Sequence, residues 1–143
     1  MTVLYFTIGL PGSGKSTTAR KMASESGGSI REVTKDELRL HPQAPKNRRS
    51  QERWVIAERD RIVSEALGSG YSIVVHDTNF NPIHRVALEA IAAAHGAEFV
   101  VLDFTHVDVR ECIRRDALRP NPVGASVIWG MWRQYLATDP TSA

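Results

Sequence analysis

The chain has 143 residues, 42% hydrophobic and 24% charged, the balance of an ordinary globular domain with a real core and no room for a second catalytic module. Its net charge of +2 is too small for bulk charge to select a polyanionic partner, so that argument rests on local arginine clusters. One cysteine, Cys112, excludes an internal disulfide and a cysteine-rich metal site, and no apolar run reaches membrane-spanning length. A single domain over 1–143, in a reducing cytoplasm and away from membranes, is the expectation.

Residues 2–8 read as an apolar, β-branched and aromatic strand, and 17–26 as a helix. Between them Gly9-Leu10-Pro11-Gly12-Ser13-Gly14-Lys15-Ser16 fits G-x-x-x-x-G-K-[ST], the phosphate-binding loop. Glycines let successive backbone N–H groups face one centre, and the helix start adds its positive dipole end. Gly12, Ser13, Gly14, Lys15, Ser16 and Thr17 are therefore the candidate contacts to a nucleoside triphosphate such as ATP. Lys15 would reach the β- and γ-phosphates, and the Ser16 hydroxyl would ligate the bridging Mg²⁺.

Gly27-Gly28 ends the helix, and residues 29–33 read as a second strand. Thr34 with Glu37 matches a capping box for a short helix ended by Pro42 and Pro45. From 48 to 67, Val55, Ile56, Ile62, Val63, Ala66 and Leu67 recur at helical spacing. A third strand covers 72–75. Asn81-Pro82 starts a helix over 82–95, and 98–104 is a fourth strand. Asp108 with Glu111 opens a helix bearing Val109, Cys112 and Ile113 on one face. Pro120, Pro122 and Gly124 break the chain before a last helix over 125–136, and the tail beyond reads as loose.

Strands alternating with helices predict an α/β fold: a central parallel sheet of four to five strands, helices on both faces, and an arginine-bearing lid near the C-terminus. Ligands in such sheets lie beyond the carboxyl ends of the strands, so the turns after Ile8, Val33, Val75 and Phe104 share one rim. Asp36 and Arg39 stand three apart on that rim. They form either an acceptor pocket, a carboxylate taking the proton of an attacking hydroxyl beside a guanidinium holding an anion, or a plain surface ion pair. Asp77, at the end of the third strand, is either a Mg²⁺ ligand or a cap. Arg115 and Arg119, four apart beside the proline break, either close over a triphosphate or line a solvated face, as do Arg110 and Arg114. The basic run Lys46, Arg48, Arg49 and Arg53 either tracks a phosphate backbone or is a charged helix start. Trp129 and Trp132 read as core or self-association residues, Cys112 as a small core residue, and the five histidines show no metal-ligand pattern.

Taken together, Thr7 to Thr17, Asp36-x-x-Arg39, Asp77-Thr78-Asn79-Phe80-Asn81-Pro82 and Arg115-x-x-x-Arg119 resemble the kinase domain of bacteriophage 5′-hydroxyl polynucleotide kinases, in order and over nearly the whole chain. The resemblance implies a P-loop kinase that moves the γ-phosphate of a nucleoside triphosphate to the 5′-hydroxyl of a DNA or RNA end. It implies Asp36 as general base, Arg39 on the phosphate of the terminal nucleotide, Arg119 on the donor phosphates and Arg115 nearer the donor nucleoside. Members of that family often self-associate, so a homo-oligomer is among its implications. Lys35 and Glu37 replace the Arg and Asp often found beside the base, and no Asp-x-Asp phosphatase motif follows, so 3′-phosphate removal is not expected. Two rivals remain: a P-loop kinase acting on a small metabolite, nucleoside or protein hydroxyl, and a non-catalytic nucleotide-binding module. No Asn-Lys-x-Asp guanine signature favours the second.

Overall fold

Val3–Ile8 forms the first strand, β1, because its β-branched and aromatic residues suit a pleated surface buried on both sides. In the computed structural model, which describes residues 1–137, three strands run parallel to it: β2 (Ile30–Val33), β3 (Ser72–Val75) and β4 (Glu98–Asp103). Their order is β2-β3-β1-β4. Leu4 and Phe6 of β1 stand beside Ile73 and Val75 of β3, and Ile8 lies beside Asp103 of β4. The helices are α1 (Lys15–Glu25), α2 (Lys35–Arg39), α3 (Arg48–Gly68), α4 (Pro82–Ala94), α5 (Val109–Ala117) and α6 (Ala125–Met131). A π-helical turn, Trp132–Leu136, continues α6.

From β1 the chain passes β3 to reach β2, then turns back to β3 and crosses β1 to reach β4. Right-handed crossovers in opposite directions lay their helices on opposite faces, with α1 on one face and α3 and α4 on the other. The main core lies on the α3–α4 side, where Leu4, Phe6, Ile73 and Val75 meet Val55, Val63 and Leu67 of α3 and Leu88 and Ala92 of α4. Each such side chain, fully buried, contributes about 1.5–3 kcal/mol. On the other face Thr7, Val74 and Ala19 of α1 are equally sealed. A second cluster of Leu10, Val109, Cys112 and Ile128 joins the loop after β1 to α5 and α6. Trp129 and Trp132, both half-buried, pack against it with ring centroids 5.5 Å apart edge to face, while Cys112 is a fully buried core residue.

Asn47, Asn81 and Asp108 cap α3, α4 and α5 through side-chain oxygens that accept N–H bonds from the first turns. The capping box expected at Thr34 and Glu37 does not form. Thr34 instead donates its hydroxyl to Asp77 Oδ1 at 2.9 Å, and the same oxygen accepts the Lys35 amide at 2.9 Å. A buried carboxylate is a stronger acceptor than a backbone group, and it caps α2 from 43 residues away. Glu111 likewise turns from the start of α5 to Arg114 and Arg115, whose charges outcompete an amide.

Helix α3 departs from a simple amphipathic stripe, because Arg59 is fully buried among its apolar positions. Its Nη1 lies 2.9 Å from His84 Nδ1 in α4, and its Nε donates to Asp60 at 3.1 Å. The expectation of a loose tail falls on 138–143, outside the described residues. Among the described residues no helix is long and apolar enough to cross a membrane.

Candidate active site

The four strands end on one rim, and the loop after β1 is pressed into place there by its glycines. A side chain at Gly9 would begin 2.7 Å from Phe104 Cβ. Gly12, at φ +81°, would put a Cβ 2.3 Å from the Cys112 carbonyl oxygen. The loop therefore lies flat against α5. Lys15 follows at the first position of α1 and is buried, its Nζ donating to the Leu10 carbonyl at 2.6 Å. Burial lowers its pKa to about 8, with nearby Asp77 and Asp36 opposing that shift.

Asp77 is 8% exposed. Its Oδ1 is committed to Thr34 and Lys35, whereas its Oδ2 is buried with no hydrogen-bond partner. That orphaned oxygen and the Ser16 hydroxyl both belong to residues lining the same cleft. Among the described residues no group of three His, Cys, Asp or Glu side chains is placed to hold a metal alone. Mg²⁺ characteristically takes one or two protein oxygens and completes its shell with phosphates and water, so one hydroxyl and one unsatisfied carboxylate oxygen fit it.

On α2, Arg39 Nη1 donates to Asp36 Oδ1 at 2.5 Å, and Asp36 is largely exposed at the cleft. Arg39 Nη2 also reaches Glu52 of α3 at 3.1 Å, and Lys35 Nζ reaches the same carboxylate at 3.2 Å. Burial acts to raise the Glu52 pKa, but Lys35 and Arg39 together hold it below the ordinary value.

Across the cleft, Arg115 is tied to Glu111 at 2.9 Å, and its Nη1 lies 3.7 Å from where a side chain on Gly14 would begin. Arg119 lies 3.4 Å from Asp116, a buried residue whose two oxygens accept the amides of Val123 and Gly124 at 3.0 Å each. One carboxylate thus folds the proline-rich segment 118–124 back on itself, with Arg119 and Val123 lining the cleft.

The cleft encloses about 970 Å³. Its walls bring together the candidates from the loop, the acceptor pair, the strand end and the lid: Gly12 to Thr17, Asp36, Arg39, Asp77, Arg115 and Arg119. Lys46, Arg48, Arg49 and Arg53 are exposed and do not line it, nor do Arg110 and Arg114. Four contributors escaped the sequence reading. Glu52 and Asp116 looked like ordinary charges on helices, and only folding shows which cations they hold. Arg20 and Lys35 also face the cleft, and the spacing of four that sets Arg20 on the face of Ser16 and Lys35 on the face of Arg39 was the one available signal.

A family profile described as an AAA domain matches residues 4–137. The chain belongs to this family. Among solved structures, this AAA-family chain is similar to the Pnkp1/Rnl/Hen1 RNA repair complex, with TM-score 0.69 and 21% identity over 94% of this chain and 44% of that one. It is similar to the Mycobacterium tuberculosis APS kinase CysC in complex with AMPPNP and APS, with TM-score 0.65 and 20% identity over 96% and 76%. A gluconokinase from Sinorhizobium meliloti 1021 gives TM-score 0.63 and 17% identity over 97% and 75%. At such identities the likeness is one of fold: a P-loop kinase fold, with a four-stranded parallel sheet and helices around it.

Proposed function

We propose that the chain is a Mg²⁺-dependent phosphotransferase that moves the γ-phosphate of ATP or another nucleoside triphosphate to the 5′-hydroxyl end of DNA or RNA. The observation that carries this reading is the Asp36–Arg39 pair standing on the same cleft wall as Lys15 and Asp77, with Arg39 braced by Glu52. A carboxylate able to take a hydroxyl proton lies beside a fixed guanidinium, which suits an acceptor whose hydroxyl neighbours a phosphate. The fold likeness to a structure that contains an RNA repair complex supports the same acceptor class.

In this reading the loop amides and Lys15 hold the donor phosphates, and Ser16 and Asp77 hold Mg²⁺. Bound there, the ion would neutralise charge between the β- and γ-phosphates. Asp36 orients the attacking oxygen and accepts its proton late, because in a loose transition state, with charge spread over the transferring group, the new O–P bond has barely formed. Arg119, with Arg115, bears on that charge from the opposite wall. Two chains of similar fold that carry small anionic acceptors or their names, APS kinase and gluconokinase, favour a second reading in which Arg39 and Lys35 hold a small anionic metabolite.

Transfer of labelled γ-phosphate to a 5′-hydroxyl oligonucleotide, a nucleoside 3′-monophosphate, a bare nucleoside and a panel of small anionic alcohols separates the readings. Label on the oligonucleotide and the 3′-monophosphate, absent from the 5′-phosphorylated strand and lost in Asp36→Ala with donor binding intact, is the expected result. Label on the small alcohols alone moves the protein to the metabolite kinases. Tight donor binding with no transfer at all leaves a nucleotide-binding module.

A further inference from the structure

Behind the phosphate-binding loop lies a side-chain relay that the reaction as described does not use. His76, the residue after β3, is buried, with its side chain 1% exposed. Its Nδ1 stands 3.2 Å from Ser16 Oγ, and its Nε2 lies 3.3 Å from Oε1 of Glu32 on the edge strand β2, off the angle of a hydrogen bond. The three residues come from three separate segments, 60 positions apart between Ser16 and His76.

A ring protonated on both nitrogens would donate to Ser16 and set a positive charge beside the proposed ion, so the forms compatible with that ion are the two neutral tautomers. With the proton on Nδ1, the lone pair of Nε2 would face the Glu32 carboxylate at 3.3 Å, acceptor against acceptor. With the proton on Nε2, the polar N–H lies beside that carboxylate without a hydrogen bond to it, a preference of charge alone, and Nδ1 becomes an acceptor for Ser16. The Glu32 charge therefore favours the second tautomer, in which Nδ1 accepts a hydrogen bond from the Ser16 hydroxyl.

The consequence falls on the oxygen of Ser16. Were it accepting from Nδ1–H, one lone pair would be spent on the ring and its own proton would be free to point at a cation. Donating to Nδ1 instead, it keeps both lone pairs for a ligand. We propose that His76, oriented by Glu32, is a positioning residue for magnesium, holding the Ser16 hydroxyl in the orientation that offers its lone pairs to the ion. The proposal rests on the donor and metal reading above. His76 touches neither donor nor acceptor, and its effect is transmitted wholly through Ser16.

The test is calorimetric binding of a non-hydrolysable triphosphate analogue, first in EDTA and then across a Mg²⁺ titration, with Mn²⁺ electron paramagnetic resonance as a direct measure of the ion. Outer-shell partners of metal ligands are worth about 10–100-fold in metal affinity, so His76→Phe is expected to weaken Mg²⁺ binding by about tenfold or more. Its metal-free nucleotide affinity should remain within about twofold of wild type. His76→Asn, whose amide oxygen replaces Nδ1 as acceptor, restores most of the loss. Glu32→Gln, on a partly exposed strand where folding is not in question, weakens Mg²⁺ binding by a smaller factor because an amide no longer dictates the tautomer. On a Ser16→Ala background, His76→Phe should add nothing.

Unchanged Mg²⁺ affinity in both His76→Phe and Glu32→Gln overturns the proposal while leaving the metal reading standing. Equal loss of metal-free and metal-dependent binding in Glu32→Gln overturns it too, since that is the mark of a merely structural role. If wild-type nucleotide affinity does not respond to Mg²⁺, the metal reading itself fails, and the proposal with it.

Discussion

The Thr34 hydroxyl donates to Asp77 Oδ1 at 2.9 Å, so the first residue before α2 is fastened to the carboxylate at the end of β3. The helix that carries Asp36 and Arg39 is thereby held by the residue whose other oxygen is buried without a hydrogen-bond partner. In the proposed reaction the acceptor and metal elements share one anchor.

Thr34→Val removes that bond while keeping the shape of the side chain. A hydrogen bond to a charged group is worth about 1.5–3 kcal/mol, and urea denaturation should show a loss of that order. Acceptor KM should rise in the same variant, measured from initial rates at saturating donor. Thr34→Ser, which keeps the hydroxyl, should restore both.

In the proposed reaction Glu52 bears on acceptor binding rather than on the fold. Its ion pairs with Lys35 and Arg39 are partly exposed, so Glu52→Gln should cost stability no more than about 1 kcal/mol. Released from Glu52, Arg39 is left with Asp36 alone and no longer presents a fixed guanidinium. Acceptor KM should rise about fivefold or more while donor KM stays within about twofold, a split that steady-state kinetics reads directly.

Asp116 organises the segment after α5 through two amides and Arg119. Asp116→Ala leaves those amides without their charged acceptor, and a loss of about 2–4 kcal/mol is expected in denaturant unfolding. Because Arg119 loses its brace at the same time, donor KM should rise together with the fall in kcat. Limited proteolysis should find new cleavage within 118–124.

His84 sets an acid limit on stability. Burial lowers its pKa from 6.5 to about 4, helped by the positive charges of Lys35 and Arg59. The unfolded chain takes up a proton at this residue below pH 6.5, before the folded chain does, so stability is full above that pH and is lost as pH falls towards 4. Denaturation curves at pH 7, 6 and 5 should show the decline in wild type. In His84→Asn, which cannot protonate, this contribution to the slope should disappear.

Much of the fold was legible because its signals are local. The glycine-rich turn between a strand and a helix, Asn81 before Pro82, and the run of β-branched and aromatic residues in β1 are each contained within a few residues. The rim also followed from topology, which brought Asp36, Asp77 and Arg119 to one cleft without any spacing argument joining them. What stayed hidden depends on partners distant in the chain. Thr34 carries the residue type and spacing of a capping box, yet a carboxylate 43 positions away outcompetes the local amide. Arg59 interrupts an apolar stripe as a surface residue would, and it is buried because His84 and Asp60 receive it.

The seat of Gly12 on the Cys112 carbonyl has a mechanical meaning. With no room for even one carbon between the loop and α5, neither can rotate without the other, and Arg115 rides on that joined body. Any hinge for the arginine lid must therefore lie beyond Asp116, in the segment bearing Arg119 and the prolines. Swapping that short segment alone, with loop and helix left intact, is the route by which the fold can be re-fitted to a donor of different size.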